Sequence, residues 1–220
     1  MEENGCERDI VTYSNIIDSL CKDTLIDEAK NLFSEMVGRG IVPNVITYNS
    51  LIQGVCNIGR WKEAWRLLNE MASQGIFPEV ITFSILVDAL CKEGRIGQAK
   101  SVVQIMIQRG IEPNTITYSS LMDGHCLRGE MDEAKQVFDL MVAKGSMVNV
   151  CSCNILINGY CKQKKIHEAK EVFDEMPRRG MVRDTITYNT LIDGFYKAGR
   201  LQEAEKLLSE MQDYGPLPNI

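Results

Sequence analysis

No stretch of this 220-residue sequence approaches the roughly eighteen uninterrupted apolar residues that a membrane-spanning helix needs, so a transmembrane segment is excluded. Histidine is nearly missing: His125 and His167 are the only two. There is no Ser-His-Asp set, no glycine-rich phosphate loop and no His-x-Glu followed by Cys-x-x-Cys. The sequence therefore offers no candidate catalytic residues and reads as a non-enzyme that needs no cofactor. A basic excess is lacking too, with 24 Lys and Arg against 30 Asp and Glu, for a net charge of −6. That balance speaks at first against a nucleic-acid partner, because neutralising many phosphates takes cations. Whole-chain charge governs solubility and steering, however, and leaves one face free to be basic.

What is present is periodicity. Met36, Met71, Met106, Met141, Met176 and Met211 stand 35 residues apart. Ala29, Ala64, Ala99, Ala134, Ala169 and Ala204 keep the same interval, as do Gly40, Gly75, Gly110, Gly145, Gly180 and Gly215. Three residue types locked to one period mean one supersecondary unit copied in tandem, which is a solenoid. The units expected are 10–44, 45–79, 80–114, 115–149, 150–184 and 185–219. Residues 1–9, MEENGCERD, are acidic and lack both an apolar core and an Arg-rich amphipathic pattern, so they are neither a signal nor a transit peptide. They read as the end of a preceding unit, so the segment belongs to a longer array and a targeting peptide would lie outside it.

Within 45–79, Tyr48, Leu51, Ile52, Val55 and Cys56 recur at three-and-four spacing and predict a first amphipathic helix. Asn57-Ile58-Gly59 breaks it. Trp61, Ala64, Leu67, Leu68 and Met71 predict a second helix, which Gly75 ends and Pro78 keeps from continuing. The repeated Ala marks a close crossing where nothing larger fits. The fold class expected is all-α, a right-handed α-solenoid of tandem helix–turn–helix repeats of 35 residues. In the first unit Thr24 stands where the others favour a turn glycine.

Eight cysteines raise the question of disulfides or metal. Cys21, Cys56, Cys91, Cys126 and Cys161 again sit 35 apart, among apolar residues at the end of each first helix. They read as free thiols acting as small buried hydrophobes, as in a reducing compartment. Cys151, Cys153, Cys161 and His167 have the composition of a zinc site. Residues two apart on a helix point to opposite sides, though, which defeats chelation by Cys151 and Cys153.

The phrases ITYNSLIQGVC, ITYSSLMDGHC and ITYNTLIDGFYKAGRLQEAEKLLSEM closely resemble pentatricopeptide repeats over residues 10–219. The period, the Thr-Tyr start, the fixed Ala and Met and the Gly-x-x-Pro-Asn ending agree together. The unbroken spacing is similar to the pure-repeat (P-type) subclass, and the texture to plant restorer-of-fertility-like members. The fifth unit departs most, with Cys153 in place of the aromatic, Cys151 in place of an aliphatic, and Val148 and Arg183 where proline stands elsewhere. The resemblance implies a partner, single-stranded RNA, read at about one base per repeat. It also implies work in organellar RNA processing, stability or translation, in plant mitochondria before chloroplasts, alongside protein partners in RNA processing. It implies no small-molecule substrate.

Two register positions vary among polar residues inside this frame. One directly follows the aromatic: Ser14, Asn49, Ser84, Ser119, Asn154 and Asn189. The other closes the unit: Asn44, Glu79, Asn114, Asn149, Asp184 and Asn219. Helix N-capping accounts for part of the preference at the closing position. It does not account for Ser or Asn after the aromatic, already inside the first helical turn. By the resemblance these twelve residues read bases, and each pair should lie side by side on the inner wall. Asp only accepts hydrogen bonds and suits uracil or guanine, whereas Asn can donate and suits adenine or cytosine. Short Ser leaves room for a purine, and Asn favours a pyrimidine. The pairs spell 5′-A-U-A-A-U-C-3′, with pyrimidines blurred at the second and sixth places.

By the same resemblance Val11, Ile46, Ile81, Ile116 and Ile186, three residues earlier, sandwich each base, and Cys151 does so poorly. Otherwise they would be ordinary core. Lys22, Lys92, Lys162 and Lys197 resemble lysines that meet phosphates, or else serve only the negative helix C-terminus. Asn57 and Leu127 interrupt that series. The alternative reading is a tetratricopeptide-like scaffold for peptides, with the same helix-pair plan.

Overall fold

The computed structural model describes residues 9–144 and 148–214. These form twelve α-helices, with no strand among the described residues: α1 (Ile10–Lys22), α2 (Ile26–Gly38), α3 (Val45–Asn57), α4 (Trp61–Ser73), α5 (Val80–Lys92), α6 (Ile96–Gln108), α7 (Thr115–Leu127), α8 (Met131–Ala143), α9 (Val150–Lys162), α10 (Ile166–Arg178), α11 (Thr185–Lys197) and α12 (Leu201–Tyr214). The fold is the all-α helical repeat solenoid that the period predicts. No helix among the described residues is long and apolar enough to cross a membrane.

The chain divides into two compact units. One holds residues up to 89 together with 101–112, and the other holds 90–100 with 113 onward. In the first, α1 packs on α2 and α3, and α3 packs on α4. In the second, α7, α9 and α11 pack on one another in chain order, and each rests on its own partner, α8, α10 or α12. The odd-numbered helices thus form one layer of each unit and the even-numbered helices the other.

The repeated columns become core. Tyr13, Tyr48, Phe83, Leu51, Leu86, Leu121, Leu156 and Leu191 are buried, as are Met36, Met71, Met106, Met141, Met176 and Met211. Burying each such side chain contributes roughly 1.5–3 kcal/mol. The Ala column is buried throughout, as a close helix crossing requires. Trp61 is only half-buried, so the second-helix face is narrower at its start than the periodicity suggests.

A second close crossing escaped the sequence. A Cβ placed on Gly159 would lie 2.7 Å from the Cys126 sulfur, and one on Gly54 would lie 2.8 Å from that of Cys21. Cysteine is therefore small because the next first helix passes directly over it. All seven cysteines among the described residues are free thiols. Burial, helped by the nearby Asp18 and Asp123 carboxylates, pushes the Cys21 and Cys126 thiols up to about 11 and about 12. They stay protonated and inert. Cys151 is exposed while Cys153 is buried, so the two face opposite sides of α9.

The turn between paired helices needs a left-handed residue. Thr24 adopts φ 62° there, as the sequence leads one to expect, and Lys164 does the same at φ 59°. Glycine occupies the equivalent turn elsewhere because it lacks the Cβ that makes this conformation costly. In the fifth unit Arg183 fills the proline position by stacking 3.8 Å above the Phe173 ring and pairing with Glu210 at 3.0 Å.

Candidate functional site

The closing residues sit at helix starts. Asn44, Asn114, Asn149 and Asp184 are the N-caps of α3, α7, α9 and α11. In each, Oδ1 accepts the backbone N–H three residues on, from Thr47 (3.0 Å), Thr117 (3.0 Å), Ser152 (2.9 Å) and Thr187 (2.8 Å). Such caps stabilise a helix start by about 1 kcal/mol. Using Oδ1 for the cap fixes the amide of each Asn and turns its Nδ2 donor away from the helix. Glu79 behaves differently. It is exposed, and at its corner the backbone N–H donates to Thr82 Oγ1 at 3.2 Å. Asn219 lies outside the described residues.

The residues after the aromatic lie close by. Asn154 donates from Nδ2 to Asp184 Oδ1 at 3.2 Å, so this pair is in direct contact. Thr187 joins both, its hydroxyl lying 2.7 Å from Asn154 Oδ1 and 2.7 Å from Asp184 Oδ1. Ser14 and Asn44 are linked through Thr47, whose hydroxyl lies 2.8 Å from Ser14 Oγ and 3.1 Å from Asn44 Oδ1. Ser84 is buried and donates to the Val80 carbonyl at 2.8 Å. Asn49 Oδ1 and Ser119 Oγ are buried with no hydrogen-bond partner. Asn189 is exposed.

Burial raises the Asp184 carboxyl, but the hydroxyl and N–H of Thr187 and the amide of Asn154 outweigh it and hold the group below its ordinary value. Asp184 is therefore a carboxylate at neutral pH, able only to accept.

The aliphatic column stands in solvent. Val11, Ile46 and Ile81 in one unit, and Ile116 and Ile186 in the other, are 53–63% exposed, and Cys151 is exposed as well. Ordinary core does not describe them. An aliphatic residue held in water at the same register of every first helix but one is not accounted for by packing. The four lysines end α1, α5, α9 and α11. Lys22 pairs with Asp18 at 2.5 Å and Lys197 with Asp193 at 2.7 Å, both largely in solvent. A cavity of about 260 Å³ lies elsewhere, among His167, Lys170, Phe195, Arg200 and Glu203 on α10–α12, and includes none of these residues.

The residues missed from sequence are Thr47, Ser152 and Thr187, taken there as part of the fixed frame. Their signal was available: a hydroxyl residue at the third position of these first helices, one turn after the cap, where its side chain can reach back.

Models of the PPR repeat match residues 8–57, 43–92 and 148–188, 109–142 and 179–212, and 81–111, which together cover nearly the whole sequence. A pentatricopeptide repeat-containing protein of Arabidopsis thaliana is 53% identical over 36 residues, or 16% of this chain and 4% of its own length. Among solved structures, PPR10 from maize is similar at a TM-score of 0.71 and 25% identity, covering 93% of this chain and 29% of that one. PPR10 in complex with an 18-nt psaJ RNA element gives 0.69 and 25%, covering 99% and 35%. The PPR domain of Arabidopsis protein-only RNase P 1, in complex with tRNA, shares the fold at 0.60 and 18% identity, covering 82% of this chain and 95% of that domain. The chain thus spans about a third of the maize protein's length and far less of the Arabidopsis relative's. With the repeat models, the helix pairs and these likenesses in agreement, the chain belongs to the pentatricopeptide repeat family.

Proposed function

We propose that this segment binds single-stranded RNA and selects its sequence at about one base per repeat, in units 10–44, 45–79, 80–114, 115–149, 150–184 and 185–219. One observation carries the reading: a polar pair and an exposed aliphatic residue recur together at the starts of the first helices. That combination suits a nucleobase, whose faces are apolar and whose edge carries donors and acceptors. The likeness to an RNA-bound maize protein supports it. The site read 5′ to 3′ from the N-terminus is A-U-A-A-U-C. Adenine falls to Ser14 with Asn44, Ser84 with Asn114 and Ser119 with Asn149. Uracil falls to Asn49 with Glu79 and Asn154 with Asp184, and cytosine to Asn189 with Asn219. Val11, Ile46, Ile81, Ile116, Cys151 and Ile186 clamp the bases, and Lys22, Lys92, Lys162 and Lys197 meet phosphates, Lys22 and Lys197 once released from Asp18 and Asp193.

The pure-repeat subclass and a plant organelle, mitochondrion before chloroplast, complete the reading. There the protein acts with partners in RNA processing, stability or translation and does no chemistry of its own. Its net charge of −6 makes the grip depend on local cations rather than on a basic surface. An electrophoretic shift assay with 5′-AUAAUC-3′ and base-swapped RNAs tests this. Asn154→Ser with Asp184→Asn should move preference at the fifth base from uracil to adenine. No discrimination among the RNAs would refute the reading and favour a peptide-binding scaffold.

A further inference from the structure

Resting on that RNA reading, we infer that the third residue of the following first helix positions the reading pairs of the first, fourth and fifth units and sets how strictly they discriminate. The first and fourth units carry the same pair, Ser with Asn, yet their hydroxyls are placed differently. In the first, Asn44 Oδ1 already accepts the Thr47 N–H and cannot donate, so the single Thr47 hydroxyl proton goes to it at 3.1 Å. Ser14, 2.8 Å from the same hydroxyl, is then assigned as the donor of a bond in which either oxygen could donate. That leaves Ser14 Oγ with acceptor lone pairs only, beside the Asn44 Nδ2 donor. Adenine presents the matching edge, a bare ring nitrogen next to an amino donor. Guanine presents the reverse, a ring N–H next to a carbonyl.

The fourth unit is followed by Ser152. Lacking the γ-methyl that restricts threonine, its hydroxyl turns back to Asn149, 2.8 Å from the carbonyl and 3.3 Å from Oδ1. Ser119 Oγ is left buried with no partner. No neighbour fixes its proton, so once a base displaces the side chains that cover it, it can donate to a guanine carbonyl as readily as accept from an adenine amino group. The two pairs are identical in sequence but not in strictness: the first selects adenine over guanine sharply, and the fourth tolerates both. In the fifth unit Thr187 also bonds the reading residue, but as the donor: its hydroxyl lies 2.7 Å from Asn154 Oδ1 and 2.7 Å from Asp184 Oδ1.

The test is fluorescence anisotropy with 5′-AUAAUC-3′ and its guanine substitutions at the first or fourth base. The adenine-over-guanine ratio should be about threefold larger at the first base than at the fourth, the size of one neutral hydrogen bond. Ser152→Thr should raise the ratio about threefold at the fourth base and leave the first unchanged. Thr47→Ser should lower it similarly at the first base only, while overall affinity for the parent RNA stays within about twofold. Both replacements use residues the chain already carries at this register, so folding is preserved. A Ser152→Thr protein that binds RNA with an unchanged fourth-base ratio overturns the inference. So does a crystal structure of that variant with the introduced hydroxyl still on the Asn149 carbonyl. If the parent protein binds no RNA, the RNA reading fails by itself. The variant's structure then decides the positioning claim, which a hydrogen bond to Ser119 Oγ upholds.

Discussion

The second and fifth units share Asn at the position proposed to read a base and differ in its companion by one methylene. In the fifth, Asp184 caps α11, accepts from Asn154 and shares the Thr187 hydroxyl, so three side chains lock together. In the second, Glu79 is exposed and Asn49 Oδ1 is buried without a partner. Both companions are carboxylates with identical hydrogen-bonding chemistry. The longer Glu79 side chain stands in solvent, while its backbone N–H keeps a bond to Thr82 Oγ1, as the corners at Asn44, Asn149 and Asp184 keep theirs. In the fifth unit the cap bond and the bond from Asn154 converge on the same oxygen, Asp184 Oδ1.

Three substitutions sharpen this contrast. Asp184→Ala removes a cap and strands the Asn154 amide, and should cost about 1–2 kcal/mol in urea denaturation. Glu79→Ala at the matching position should stay within about 0.5 kcal/mol, as for an exposed surface change. Equal losses for the two would mean that the corners are alike after all. Glu79→Asp should build the missing cap and gain roughly 0.5–1 kcal/mol, with a bond from Asn49 or the Thr82 N–H visible in a crystal structure. The smallest effect is in acid. The Asp184 carboxyl is held below its ordinary value of 3.8, so its contribution is complete above about pH 4–5 and fades as pH falls through the lowered value. Asp184→Asn should flatten that part of the stability–pH curve.

Much of this was legible in the sequence, because a strict period transfers one unit's reading to all the others. Helix pairs, the buried Ala and Met columns, the free thiols and the left-handed turn at Thr24 followed from spacing and residue chemistry. Other features did not. The hydrophobic spacing of Val11, Ile46, Ile81, Ile116 and Ile186 fits core as well as surface, and only their surroundings showed more than half of each in solvent. Nothing in the sequence marks Gly54 and Gly159 as close crossings, and only the cysteine beneath each reveals them. Thr47 and Thr187 look like helix-start residues, and their second bond reaches a residue 33 positions earlier in the chain.

By itself the sequence determined the number, length and amphipathic faces of the helices, since these depend on residues three or four apart in one unit. Only the tertiary structure decided which of the side chains proposed to read bases are tied to a neighbour. Those bonds join one repeat to the next, and a change as small as a methyl group at Ser152 or a methylene at Glu79 redirects a hydroxyl or a carboxylate through space without disturbing the period.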